Sequence, residues 1–298
     1  MFKKDILWVK KMHKSKLRLI ILGSDGYIGS NLKNCLQTNK LKIVSVNRNK
    51  IDFLDKKSSN KLSKLIRPND IIINAIAIAP CKNFDDFHKN ILIIKNIQKG
   101  IRNKKLFKYI NISSDAVYPD IKKKINEKIL PNPTSIHGLM HLCREKIIDF
   151  SNDCKTIHIR PTLVFGYGDP HGGYGPNLFY RTSSKNNLIK LFGRGEEIRD
   201  HIYINDLVYL ISKIIFINFT GTINLVTGSG ITFANIAKKF NKFNKNLKII
   251  TTKRTQKMPH DGHRLFDNRL IKKLFPKFKF NSFIKNLDLM YKNYNERN

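Results

Sequence analysis

No apolar run in this chain approaches the roughly 20 residues of a membrane-spanning helix. The longest, around Ile71–Pro80, has the length of a strand. Neither a continuous apolar segment nor a small-residue cleavage site follows the basic stretch Met1–Lys16. That stretch therefore reads as a short extension outside the fold, with Met12 as an alternative start, and not as a secretory leader. Cysteine is scarce: Cys35, Cys81, Cys143 and Cys154 stand apart without C-x-x-C spacing. This excludes a disulfide framework and a cysteine zinc site, and predicts reduced, mostly buried thiols in a cytoplasmic protein. Acidic residues are few, 22 Asp and Glu against 56 Lys and Arg, leaving a formal net charge of +34. Lys/Arg patches that bind nucleic acid cluster and interleave with exposed aromatics. These lysines run through the whole chain, so compositional drift is the favoured reading and nucleic acid is not the expected partner. In either case the field favours anionic ligands, nucleotides included.

What is present supports a real core: 41% of the 298 residues are hydrophobic and 10% aromatic. The length suits one large α/β domain, or a main domain with a smaller cap. Short apolar runs alternate with amphipathic stretches, which predicts a parallel sheet covered by helices. Strands are expected at Leu17–Leu22, Leu41–Val46, Asp70–Ala75, Leu106–Ile112 and Lys155–Ile159. Helices are expected from Tyr27, over Phe84–Gly100 and, after Pro131 and Pro133, over Ser135–Ser151. Beyond residue 166 glycine and proline crowd Gly166–Pro176, and no long βα rhythm follows. The expected architecture is a doubly wound Rossmann domain over 17–165. Residues 166–298 would form mainly a substrate-binding cap, with some segments returning to the sheet and a cleft between the two.

Leu17–Leu22 runs into Gly23-Ser24-Asp25-Gly26-Tyr27-Ile28-Gly29, a G-x-x-G-x-x-G loop between strand and helix. Glycine is needed where the backbone turns tightly and where a pyrophosphate approaches a helix N-terminus. The bland alternative is a turn that merely uses glycines. The second strand ends in Val46-Asn47-Arg48. NAD enzymes place a carboxylate here for the adenosine ribose; Asn47 lacks that charge, and Arg48 can pair with a 2′-phosphate. This tilts the expected cofactor from NAD toward NADP.

Further landmarks follow in order: Ile51-Asp52-Phe53, Asn74-Ala75-Ile76-Ala77, Asn90, Ser113-Ser114-Asp115-Ala116-Val117-Tyr118, Arg160-Pro161, Gly175-Pro176-Asn177, Arg199-Asp200-His201 and Asn224-Leu225-Val226-Thr227-Gly228. From Leu17 to the C-terminus this ordered set resembles the extended short-chain dehydrogenase/reductase family, the NAD-dependent epimerases and dehydratases of nucleotide sugars. The resemblance implies a nicotinamide dinucleotide held by Gly23, Gly26, Tyr27, Ile28, Gly29, Asn47, Arg48, Asp52, Phe53, Ala75, Ala77 and Asn90. It also implies that Ser114 bonds the reacting sugar oxygen and that Asn177 and Arg199 hold the substrate diphosphate. A guanidinium suits that task through paired hydrogen bonds; the alternative for Arg199 is a surface ion pair with Asp200. A nucleotide-sugar substrate and a homodimer are compatible with the resemblance, and no membrane partner is expected.

One departure stands out. Where the family has Tyr-x-x-x-Lys, this chain has His137-Gly138-Leu139-Met140-His141. Three readings follow. His137 is the acid/base, since imidazole titrates near 6.5 without the help a tyrosine needs, while His141 bonds the nicotinamide ribose and Asp115 serves as a further acid. Alternatively, hydride chemistry is lost and the protein only binds cofactor or sugar nucleotide, the histidines being retained for packing. Thirdly, the two histidines with Asp115 hold a metal, although H-G-L-M-H lacks the glutamate of H-E-x-x-H and no metal is expected. Tyr118 is no obvious replacement, His171 reads as a loop residue and His158 as structural. The expected activity is that of an epimerase, dehydratase or reductase, in class terms an isomerase, lyase or oxidoreductase.

Overall fold

The computed structural model describes residues 17–37, 41–151, 153–255 and 257–296; the basic extension lies outside them. In chain order the elements are β1 (Arg18–Leu22), α1 (Tyr27–Leu36), β2 (Lys42–Val46), α2 (Ser58–Leu65), β3 (Ile71–Asn74), α3 (Phe84–Ile101), β4 (Lys108–Ile112), α4 (Ile136–Ser151), β5 (Thr156–Pro161) and β6 (Leu163–Phe165). They continue with α5 (Pro176–Asn186), β7 (Leu188–Phe192), β8 (Ile198–Tyr203), α6 (Ile204–Ile214), β9 (Gly221–Leu225), β10 (Gly230–Thr232), α7 (Phe233–Phe240), β11 (Lys248–Thr252), β12 (His263–Arg264), α8 (Arg269–Leu274) and α9 (Phe283–Asn295). Two compact units divide them: described residues up to Tyr118, with Leu130–Pro161 and Val208–Ile223, and separately Pro119–Ile129, Thr162–Leu207 and Asn224 onward. No helix among the described residues is long and apolar enough to cross a membrane.

The first unit is a Rossmann-type α/β layer structure. Its sheet has the order β2-β1-β3-β4-β5-β9, and β1 to β5 pair in parallel. Such strands are covered on both faces, which is why β1 and β3 read as near-continuous isoleucine and leucine. Strand order reverses between β1 and β3, and the loops leaving these two strands flank that switch point, where ligands bind in open α/β sheets. Below it, Ile20, Leu22, Val46, Phe53, Ile72, Ile94, Ile97 and Tyr109 form the core.

Two polar features are built into this apolar layer. Asn74, Asn111 and His158 occupy matched positions on β3, β4 and β5. Asn74 Nδ2 donates to Asn111 Oδ1 at 3.4 Å, Asn111 Nδ2 to His158 Nδ1 at 3.3 Å, and His158 Nε2 to Asp149 Oδ1 at 2.8 Å. The run ends where Asn74 Oδ1 accepts the Ile76 amide at 3.2 Å. The buried Lys108 donates to the carbonyls of Ile215 at 2.9 Å and Ile217 at 2.7 Å, just past α6, where a cation meets the negative helix end. Burial pushes this ammonium down to about 8.

The second unit holds a small sheet of β10, β8 and β12 with β6 beside β8, and a separate pair of β7 and β11. Its core is aromatic: Phe179 lies edge-on to Tyr174 at 5.2 Å, and Phe165 packs on Phe283 at 5.2 Å. Exposed lysines such as Lys61, Lys99, Lys146, Lys185, Lys213, Lys272 and Lys285 stand on helices of both units. Among the four cysteines only Cys81 is fully buried, a correction to the expectation of mostly buried thiols; α1 and α4 leave Cys35 and Cys143 half-exposed.

Candidate functional site

The glycine loop is anchored to the end of β2. Gly23 and Ser24 amides donate to the Val46 carbonyl at 2.8 and 3.2 Å. Gly23 has φ +82°, and a Cβ on Gly29 would overlap the Gly23 carbonyl oxygen. Packing therefore requires both of these glycines; the close approach of Gly29 is to the loop rather than to the sheet. Gly26 is different. A Cβ there would meet no other protein atom closer than Gly23 O at 3.4 Å. Gly26 caps α1 without a side-chain hydrogen bond, and the first turn, Tyr27-Ile28-Gly29, carries no acid. The positive end of a ten-residue helix, reached across a bare glycine, fits a pyrophosphate.

At the end of β2 the expected cofactor residues have protein partners or lie in the core. Arg48 Nε donates to Asp52 Oδ2 at 3.1 Å. Asp52 also accepts the Leu54 amide at 3.0 Å, and that amide together with Arg48 holds its carboxyl below the usual carboxylate range. Phe53 is 3% exposed and belongs to the core, so its ring does not present itself to an adenine. Asn47 places its amide on Asp25 Oδ2 at 2.7 Å.

The loop after β3 is pinned at successive groups. Ala75 N donates to Leu22 O at 3.0 Å, and the Arg144 guanidinium donates to the Ile76 carbonyl. Asn90 accepts the Ile78 amide at 3.0 Å and donates to Ile78 O at 3.0 Å and Asp86 O at 2.9 Å. Its fully buried amide thus holds the loop at Ile78, next to Ala77.

Strand β4 delivers Ser114 and Asp115 into a single 3-10 turn, Asp115–Val117, in which Ser114 Oγ accepts the Ala116 amide at 3.1 Å. Helix α4 presses on this turn: a Cβ on Gly138 would overlap the Ala116 carbonyl oxygen. The bare glycine thereby lets the helix that carries His137 pack against the turn that follows Ser114. His137 Nδ1 accepts the Cys81 amide at 3.2 Å. A backbone N–H can only donate, so in the neutral ring the proton lies on Nε2. His141 packs edge-on against it, ring centroids 4.7 Å apart, and is buried with no hydrogen-bond partner at Nδ1 among the described residues. Burial first, then the charges of Arg144 and His137, hold His141 well below the ordinary imidazole range, so it is neutral. An orphaned ring nitrogen costs about 1–3 kcal/mol unless something pairs with it, which fits a ribose hydroxyl. Arg144 is fully buried, and desolvation lowers it to about 10. Glu145 on α4 pairs with Arg160, whose guanidinium lies 4.7 Å from the Tyr118 ring centroid. Tyr118 is therefore a structural side chain under a cation. Among the described residues no three His, Cys, Asp or Glu come together to hold a metal.

In the second unit, Arg199 on β8 and Arg264 on β12 stand side by side in register. Arg199 is buried, which overturns the surface ion-pair reading, and donates to Pro259 O at 2.8 Å. Glu197 faces both Arg199, at 3.7 Å, and Arg254, at 2.8 Å. Asn177 accepts the Gly166 amide at 3.0 Å and donates to Tyr294 Oη at 3.1 Å. This buried clamp holds the loop at Gly166. Asp200 accepts from Thr227 Oγ1 at 2.6 Å and Gly228 N at 2.7 Å, fixing that turn. His171 lies exposed in its loop, and His158 is buried in β5. Asp25, Cys81, Arg144, Arg254 and Arg264 did not emerge from sequence reasoning. The only available signal was for Arg264, a cation just ahead of Phe266-Asp267 at the start of another βα-like segment.

Comparison with known proteins gives a consistent answer. The family model described as "NAD dependent epimerase/dehydratase family" matches residues 19–222. An "uncharacterized UDP-glucose epimerase" of Bacillus subtilis is 24% identical over 213 residues, 65% of this chain and 64% of that protein, so the match spans less than two-thirds of its length. Among solved structures, the UDP-glucose 4-epimerase of Thermus thermophilus in complex with NAD aligns with TM-score 0.79 and 20% identity over 94% of this chain and 100% of that one. A GDP-L-fucose synthetase from Naegleria fowleri bound to NADP aligns with TM-score 0.78 and 17% identity over 96% and 94%. At such identity the structural likeness speaks for the fold, and the family model, which covers well over half the chain, speaks for descent. The chain belongs to the NAD-dependent epimerase/dehydratase family.

Proposed function

We propose that this chain is a nicotinamide-dinucleotide-dependent enzyme acting on a nucleotide sugar, in the manner of an epimerase, dehydratase or reductase. The observation that supports the reading is the close approach of Gly138 to the Ala116 carbonyl, which packs the helix bearing His137 against the turn that follows Ser114. A bound dinucleotide supplies a hydride acceptor and donor at the sugar carbon. Gly26 with the amides of Tyr27, Ile28 and Gly29 binds its pyrophosphate, and His141 Nδ1 takes a ribose hydroxyl. Ser114 orients the reacting sugar oxygen. Arg199, with Arg264 beside it, binds the substrate diphosphate.

The proton inventory differs from the simplest scheme. With Nδ1 committed to Cys81, neutral His137 enters as an Nε2–H donor to the sugar oxygen. Neutral imidazole serves the same way, as an electrophile, in other enzymes. The Asp115 carboxylate, next to Ser114, then receives the hydroxyl proton. NADP was favoured through Arg48 alone, and that argument is weakened by the Arg48–Asp52 bond.

The test is incubation of the purified chain with NAD or NADP and UDP-glucose, UDP-glucuronic acid or a GDP-hexose, with products separated by chromatography and mass. A changed sugar supports the reading. A second reading, a binding protein without turnover, draws on one observation: His141 is neutral, so the cation of the family's Lys position is gone. Tight dinucleotide binding with no product across the panel favours it.

A further inference from the structure

In the sequence, Arg48 pointed to NADP. In the structure the chemistry around the end of β2 points the other way. The Arg48 charge is met by Asp52 four residues on, at 3.1 Å. Asn47 is held in a fixed orientation: its carbonyl oxygen accepts the Lys50 amide at 3.0 Å, and its amide donates to Asp25 Oδ2 at 2.7 Å. Asp25 is the residue immediately before Gly26, and the other oxygen of its carboxylate accepts from Ser24 Oγ at 3.2 Å. The loop is tied to the strand end through Gly23 and Ser24, both bonded to the Val46 carbonyl. A carboxylate held from two sides thus stands at the tip of β2, one residue past the strand, although β2 itself contributes none.

That tip is where a Rossmann fold reads the adenosine ribose, and where an acid accepts from the 2′-hydroxyl. We propose that Asp25, supplied by the glycine loop instead of by β2, selects NAD over NADP in this chain. The inference rests on the dinucleotide reading above. Among the described residues each carboxylate oxygen has one protein donor and keeps acceptor capacity, and Asp25 is exposed, so ribose hydroxyls have access to it. A 2′-phosphate would bring further negative charge against the same group. The local charge also differs from that of the whole chain. Against an overall +34, Asp25 and Asp52 here balance Arg48 and Lys50, and the Lys50 ammonium lies on Ser45 O at 3.3 Å. A phosphate-selective site needs a net cation at this point, and among the described residues the charges at the end of β2 balance.

The experiment is calorimetric titration of the whole chain with NAD and with NADP, for wild type, Asp25→Asn, Asp25→Ser and Arg48→Ala, with thermal melts to confirm that each variant is folded. Wild type is expected to bind NAD at least about tenfold tighter than NADP, the discrimination that one charged contact sustains. Both Asp25 variants should bring the two affinities together, chiefly by improving NADP. The NAD:NADP ratio should not shift toward NAD in Arg48→Ala. A wild-type preference for NADP, a ratio unmoved in folded Asp25 variants, or a selective loss of NADP in Arg48→Ala overturns the inference while leaving the dinucleotide reading intact. If folded wild type binds neither dinucleotide, the function proposed above fails and this inference fails with it.

Discussion

The Cys81 amide points its hydrogen at Nδ1 of His137, 3.2 Å away, and so decides which nitrogen of that ring carries the proton. For His137 to act as a base at Nε2 the ring would have to move its proton to Nδ1 and abandon this bond. His137 and Asp115 are therefore expected to divide the work. His137→Phe should lower turnover by about 10²–10³-fold, the loss seen when one transition-state donor is removed. His137→Gln keeps an N–H donor and should retain more activity than His137→Phe. Asp115→Asn should lose about 10²–10⁴-fold, as for removal of a general base. Dinucleotide affinity should change little in any of them. Steady-state kinetics and a cofactor titration decide the matter: equal rates for His137→Phe and wild type would refute the donor role.

Two glycines of the same loop should behave differently. A Cβ at Gly29 overlaps the Gly23 carbonyl oxygen, whereas a Cβ at Gly26 meets nothing nearer than 3.4 Å. Gly29→Ala is expected to lower the melting temperature and dinucleotide binding together. Gly26→Val should leave the melting temperature nearly unchanged and abolish binding, because only the ligand needs that space. Calorimetry alongside thermal melts checks this, and intact binding in Gly26→Val would remove the pyrophosphate from the loop.

His141 has a buried Nδ1 with no partner among the described residues. His141→Phe removes that orphan while keeping an aromatic ring against His137, so stability should hold or rise. Dinucleotide affinity should fall by about two- to tenfold, the worth of one neutral hydrogen bond. Unchanged affinity in a folded variant would assign His141 to packing alone.

Acid should destabilise the fold in a window that named histidines set. His201 is fully buried, donates Nδ1–H to Arg199 O, and burial pushes it from its ordinary 6.5 down to about 3. Since the folded value is depressed, the unfolded chain binds the extra proton first. The stability is fully present above about pH 6.5 and declines as pH falls toward 3. At pH 5 this one group accounts for a loss of about 2 kcal/mol, and His141 adds a shift of the same sign. Urea unfolding of wild type and His201→Phe at pH 7 and pH 5 checks it. The variant should lose less stability between the two, and parallel losses would contradict a neutral buried ring.

The strands of the parallel sheet were legible because residues buried on both faces leave an uninterrupted apolar run, as in Ile71–Ile73. Helix α2 was not, because Ser58–Leu65 is largely polar. It is helical through its packing on α3, where Gly100 lets the Ser59 carbonyl come close. The glycine loop and the altered dyad were legible as local spacings. Their partners were not: the Asp25–Asn47 and Cys81–His137 bonds join residues far apart in sequence, and only the assembled sheet brings them together. Arg264 meets Arg199 through a two-residue strand too short to give a periodic signal.

The polar run from Asp149 through His158, Asn111 and Asn74 bears on how the chain finds one alignment among several. In β3, β4 and β5 both faces are buried, so hydrophobic alternation says little about which residue should lie opposite which. Sliding one isoleucine-rich strand past its neighbour by two residues would keep every apolar side chain buried. It would also strand Asn74, Asn111 or His158 opposite hydrocarbon, each unsatisfied group costing about 1–3 kcal/mol. Three polar residues at a single level across the sheet thus act as an index mark, making the native register the one alignment that leaves none of them dry and unpaired.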